Sequence, residues 1–218
     1  MKTTLFSLLL LFSSTLFSQF QSVIPYAGYR LQGMTSSPES YNSDESHFMF
    51  GTGGDVGILF RHPLYSWLDL EYGGSFSYID MTGNDYSMTA VHLNIPLLVR
   101  ASFKLGYGSM GLKTGLVISP LLGGTVYEQM LQGRTILDLG FGNQSDDFIR
   151  RTNTSFLIGY NITTRRFEYG VNARFGLRNL TPKAYKGDYD TQSGAFTVYV
   201  GVRIDNRRER PSLFQRRQ

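Results

Sequence analysis

Residues 90–103 read Ala-Val-His-Leu-Asn-Ile-Pro-Leu-Leu-Val-Arg-Ala-Ser-Phe. Val91, Leu93, Ile95, Leu97, Val99, Ala101 and Phe103 fall on one face, while His92, Asn94, Arg100 and Ser102 fall on the other. A period of two is that of a β-strand. One face is apolar from end to end, and the other carries a charge and an amide that a water-soluble core would have to hide at several kcal/mol each. The apolar face is therefore the outer one. Tilted as barrel strands are, such a strand covers roughly 30 Å, the hydrocarbon thickness of a bilayer.

The chain opens on an address rather than on structure. Lys2 gives a positive start, Leu5 to Phe12 form an apolar run broken only by Ser7, and a Ser/Thr-rich segment follows. This predicts a secretory signal peptide over 1–18, with the mature chain starting near Gln19. No cysteine occurs, so neither a disulfide framework nor a thiolate metal site is available. No other segment reaches the apolar length of a membrane helix. Abundant glycine, tyrosine and phenylalanine suit strands, turns and interfacial aromatic bands.

Eight segments alternate in this way: 23–31, 48–61, 67–79, 90–103, 107–121, 153–162, 167–177 and 195–204. Their connections alternate too, short near 62–66, 104–106 and 163–166, long near 34–47, 80–88, 128–152 and 179–194. Short inner turns with long outer loops are the pattern of an all-β, eight-stranded antiparallel up-and-down transmembrane barrel, and closure removes every unpaired edge. A soluble lipocalin-like barrel would reverse the faces and set Asp69, Glu71, Arg100, Glu168 and Arg174 outside a greasy core. Charge agrees with the orientation. The long loops sum to minus six, whereas the short turns, with Arg61, Lys104, Arg165 and Arg166, and the arginine-rich tail together reach plus eight. This places the loops outside the cell and both termini in the periplasm, with 19–205 the barrel and 206–218 a disordered basic tail.

Three stretches carry a resemblance. Leu-Asn-Ile-Pro-Leu-Leu from Leu93, the glycine-rich segment 107–120, and 167–180 with its Arg-Phe-Gly-Leu-Arg-Asn-Leu ending resemble the small outer-membrane β-barrel family called PorT-like or porin-family proteins of Gram-negative bacteria. The resemblance implies the fold and the outer membrane, and no particular substrate. The chain departs from many barrels in ending its last strand near Ile204, with Phe214 the only aromatic residue beyond.

The inward faces supply the candidate site. Arg30, Asp55, Asp69, Glu71, His92, Arg100, Lys113, Glu168, Arg174 and Arg203 are expected to form an interior polar network. Setting Ile79 opposite Ala90 pairs Asp69 with Arg100 and Ser77 with His92, while Leu98 is expected near Lys113 and the turn at 163–166 sets Asn161 against Glu168 and Ser155 against Arg174. An eight-stranded lumen is just wide enough for side chains to fill, so acids and bases meeting there plug it. Pro96 cannot donate to a ladder, which calls for a local bulge.

The weak catalytic candidates are Ser77 and His92, a hydroxyl nucleophile and a base that would need a third group to orient them. An ordinary cross-strand hydrogen bond is the favoured reading of that pair. The sequence offers no metal-ligand spacing, no cofactor-cradling loop and no nucleic-acid module. The expectation is a non-enzymatic structural or interaction protein that contacts outer-membrane lipid and meets a protein or surface ligand at its extracellular loops. A narrow porin-like channel is second and an outer-leaflet lipid hydrolase third. The longest connection, 128–152, holds Ile136, Leu137, Leu139 and Phe141, read as strand extension before partner patch.

Overall fold

The structure is a computed structural model that describes residues 22–38, 47–83, 86–106, 108–130, 133–137, 140–141, 147–181 and 189–205. The expected signal peptide and basic tail lie outside the described residues. The strands in chain order are β1 (Ser22–Pro38), β2 (His47–Pro63), β3 (Leu68–Gly83), β4 (Tyr86–Leu105), β5 (Gly108–Met130), β6 (Gly133–Leu137), β7 (Gly140–Phe141), β8 (Asp147–Ile149), β9 (Thr152–Thr163), β10 (Phe167–Gly176), β11 (Tyr189–Val202) and β12 (Ile204–Asp205).

Eight of these make an antiparallel circuit, β1-β2-β3-β4-β5-β9-β10-β11, and β11 returns to β1 through pairs such as Tyr26↔Gly201 and Arg30↔Thr197. β12 continues along β1, with Ser22 opposite Asp205. The ring has no free edge, the condition for strands to sit in lipid with every backbone group paired. The alternation of side chains then decides inside from outside. Val56, Phe76, Leu97, Leu116, Ile158 and Val198 project outward and are exposed, whereas Glu71, Asn94, Asn161 and Glu168 on the inward positions are fully buried. Exposed aromatic residues ring the short-turn end, with Tyr65 stacked on Trp67 at 6.2 Å, Phe103 on β4 and Phe167 on the opposite wall, and Phe48, Phe50 and Phe175 recur toward the other end. An apolar belt with aromatic rims is the exterior of a barrel in a bilayer.

The β3–β4 register has Asp69 opposite Arg100, Ser77 opposite His92 and Ile79 opposite Ala90, as the alternation predicts. Two other registers differ from expectation by two residues. Lys113 faces Arg100, and Leu98 faces Gly115, because the β4–β5 hairpin closes at Leu105↔Gly108 with Gly106 at φ 47°, a left-handed conformation suited to glycine. The β9–β10 hairpin is shifted in the same sense. Thr164 N–H donates to the Phe167 carbonyl at 2.8 Å and its hydroxyl accepts from Phe167 N–H at 3.2 Å, so Thr163 pairs with Glu168, Asn161 with Gly170, and Ser155 with Gly176.

Pro96 is not at a bulge. It stays in register opposite Val117, and on the other side the β3–β4 ladder skips Gly73 and Gly74 between Tyr72↔Leu97 and Ser75↔Asn94, so the missing donor falls in that gap. The register shift of β4 lies between Val91 and His92, where β5 accommodates Leu122 as an extra residue.

All four connections expected as long loops are in part strand. β3 and β4 pair out to Thr82↔Ser87, β1 and β2 out to Ser36↔His47, β5 runs on to Met130 and folds back into β6, and β11 begins at Tyr189 opposite Pro38. Inward residues at this end, among them Met34, Met49, Ile79, Met81, Met88, Leu121 and Val126, pack with Ile149 and Leu180 as one buried apolar cluster. The barrel interior therefore changes character along its axis, polar toward the short turns and apolar toward the long connections.

Candidate functional site: the bridged lumen

The polar interior falls into two layers. The layer nearer the short turns is centred on Arg61 of β2. Its guanidinium donates from Nε to Glu71 Oε1 at 2.8 Å and from Nη2 to the same oxygen, and Nη2 also reaches Glu168 Oε2 at 2.7 Å. Glu71 stands on the adjacent β3 and Glu168 on β10 across the lumen, so one side chain ties opposite walls together. Arg100 donates from Nη1 to Asp69 Oδ2 at 2.9 Å and from Nε to Asn161 Oδ1 at 3.1 Å. Lys113 Nζ donates to Tyr199 Oη at 2.8 Å and stands 3.8 Å from Glu71 Oε2, while the Tyr199 hydroxyl donates to Glu168 Oε1 at 2.8 Å. Thr163 adds a hydroxyl donor to Glu168 Oε2 at 3.0 Å. Arg61, Arg100 and Lys113 oppose Asp69, Glu71 and Glu168, so the layer is electrically balanced.

The second layer lies toward the middle of the barrel. Arg174 donates from Nη1 to Asn94 Oδ1 at 2.9 Å and stands 3.6 Å from Asp55 Oδ2 through Nη2. Asn94 in turn donates to Ser75 and Ser77 at 3.2 and 3.0 Å and accepts from Ser119 at 2.8 Å. Arg30 donates to Ser77 Oγ at 3.1 Å.

Ser77 and His92 face each other in the ladder but share no hydrogen bond. The Ser77 hydroxyl accepts from Arg30 and Asn94, and neither ring nitrogen of His92 has a hydrogen-bond partner among the described residues. Among the described residues no carboxylate orients the imidazole by a hydrogen bond, so the geometry does not assemble a nucleophile, base and orienting acid. Arg203 also differs from expectation. It is not in the packed interior; its half-buried side chain lies at the short-turn mouth, bonded to Asp205 at 2.6 Å, because its strand ends there against Arg166. Among the described residues no three His, Cys, Asp or Glu side chains cluster as metal ligands. The mouth is a concavity of about 530 Å³, floored by Arg61, Asp69 and Arg100 and rimmed by Lys104 and Arg165.

Sequence reasoning missed Arg61, counted there as a turn charge, and Tyr199, whose aromatic ring reads as exterior. Both carried a signal. Arg61 is in phase with inward Asp55, and Tyr199 is in phase with Thr197 and Gly201. Tyr199 fits inside because Gly170 faces it: a Cβ on Gly170 would meet the Tyr199 ring at 2.4 Å and its hydroxyl at 2.6 Å. Gly170→Ala is therefore expected to push the phenol off Lys113 and Glu168 and to destabilise the barrel by about 1–3 kcal/mol, read as a lower urea midpoint. An unchanged midpoint would mean that the ring position contributes nothing.

No family model matches the chain, and no curated protein matches it. Among solved structures it is similar to Ail, the attachment invasion locus protein of Yersinia pestis, at 11% identity over 85% of this chain and 100% of that one, with a TM-score of 0.43. Neisserial surface protein A is 10% identical over 83% and 97% of the two chains at TM-score 0.41, and the outer membrane protein OprG of Pseudomonas aeruginosa is 7% identical over 86% and 98% at 0.44. Likeness of this degree carries no argument about activity. What the closed ladder and its inverted faces establish by themselves is the architecture, an eight-stranded antiparallel barrel with a polar, bridged lumen and an apolar exterior.

Proposed function

We propose that this chain is a non-enzymatic outer-membrane barrel of a Gram-negative envelope, with a closed lumen and a recognition surface formed by its long connections. The observation that carries the reading is Arg61, which holds Glu71 and Glu168 of opposite walls at once and so fills the cross-section where a conduction path would run. The lipid-matched exterior supports the membrane, and the basic short-turn mouth supports placing that end and both termini in the periplasm. The partner at the other end is a protein or surface ligand of the extracellular loops. A narrow pore is the competing reading.

Single-channel conductance in a planar bilayer separates the two. The native barrel is expected to be silent, and Asp69→Ala, which strips Arg100 Nη1 of its carboxylate at the mouth, is expected to leak. Steady open conductance from the native protein would make it a pore. Replacing residues 131–146 by a short linker tests the recognition surface: adhesion or partner capture by cells displaying the barrel is lost while the barrel still folds, or the loops are not the surface.

A further inference from the structure

The barrel interior is one acid short. Among the described residues the buried bases number five and the buried acids four, and the balanced layer around Arg61 accounts for three of each. The excess therefore sits in the middle layer, where Arg30 and Arg174 stand against Asp55 alone. A charge left uncompensated inside a lipid-embedded barrel is strongly unfavourable.

The same layer holds unused donors. Nε of Arg30, Nε of Arg174 and the ring nitrogens of His92, one of which donates in the neutral imidazole, have no hydrogen-bond partner among the described residues, although these residues are only 6%, 5% and 9% exposed. Hydrogen bonds bring them together: Arg30 and Asn94 share Ser77, Arg174 holds Asn94, and His92 is the ladder partner of Ser77. Asp55 approaches Arg174 Nη2 at 3.6 Å without accepting a hydrogen bond on either oxygen, so the one acid of the layer occupies neither Nε group. Buried donors without partners are rare in native interiors, and a set of them around a surplus cation points to an anion.

We propose that this layer is a binding site for one small monovalent anion of the halide class, held by Arg30, Arg174 and His92. A single negative charge closes the count, and a spherical acceptor serves donors arriving from three strands. A divalent oxyanion would overshoot the charge. The salt-bridged layer on one side and the methionine-rich cluster on the other enclose the site, making the anion an integral part of the plug.

The test uses the full chain. Crystals soaked in sodium bromide are expected to show an anomalous peak between Arg30 and Arg174, and the melting temperature is expected to rise saturably with chloride but not with gluconate at equal ionic strength. Arg30→Gln removes the surplus charge, and both bromide peak and chloride response should vanish. A second variant guards against misfolding. Asn172→Asp supplies the missing acid two residues from Arg174 on the same strand, at an amide whose Oδ1 has no partner among the described residues, and should fold without halide and lose the chloride response. No interior bromide peak, bromide only at the surface, or a chloride response unchanged in both variants would overturn the proposal.

Discussion

Replacing Arg61 by alanine is expected to lower the unfolding free energy of the barrel in lipid vesicles by about 3–5 kcal/mol, the cost of leaving buried charge without its partner. Arg61 is 3% exposed, and Glu71 and Glu168 are fully buried. Without the guanidinium, Glu71 keeps Arg100 at 3.7 Å and Lys113 at 3.8 Å, and Glu168 keeps the hydroxyls of Tyr199 and Thr163, so neither carboxylate retains a cation within hydrogen-bonding distance. Arg61→Lys should recover only part of the loss, since a point ammonium cannot span Glu71 and Glu168 as the planar fork does. Pairing Arg61→Ala with Glu168→Gln should be less damaging than the sum of the two changes, because the second removes a charge the first has orphaned. Urea titration of the native protein, the three single variants and the double variant decides it. Equal midpoints for the native protein and Arg61→Ala would mean that the network is not structural.

Much of the fold was legible because lipid enforces strict alternation. Leu93, Ile95, Leu97 and Val99 can face only one way, and a slip of one residue would turn Asn94 and Arg100 into the bilayer. A slip of two leaves every face unchanged. The β4–β5 and β9–β10 registers were therefore the ones misplaced by two residues, while β3–β4, anchored by complementary charges at Asp69 and Arg100, was not. Contacts across the lumen were not legible. Arg61 and Glu168 stand on strands that never pair, and only closure of the ring brings them together. The methionine cluster was hidden for another reason. Met34, Met81 and Met88 lie in stretches punctuated by Glu39, Asp80 and Asp85, which read as loop until Asp80 is seen on the exposed outward face of a continuing strand.

The claim that the greasy face is the outer one has its own test in Leu97→Arg. Leu97 is 58% exposed and stands at the centre of the apolar row from Val91 to Phe103. In water such a change removes an exposed apolar surface and is close to neutral. At the middle of a bilayer it is expected to cost about 2–4 kcal/mol, falling toward zero for the same substitution at the interface, for which Phe103→Arg serves. Leu98 supplies the contrast. It points inward, is 2% exposed and packs with Val117 and Leu157, so Leu98→Ala is expected to lose about 2–5 kcal/mol by opening a cavity, with no dependence on depth in the membrane. Urea unfolding in vesicles of graded acyl-chain length measures both. A penalty at Leu97 that exceeds the one at Phe103 and grows with bilayer thickness, beside a constant penalty at Leu98, requires that neighbouring residues on one strand face lipid and lumen. A neutral Leu97→Arg would return the chain to a soluble barrel, and the charges at Asp69, Glu71, Arg100, Glu168 and Arg174 would then have to be explained as a core.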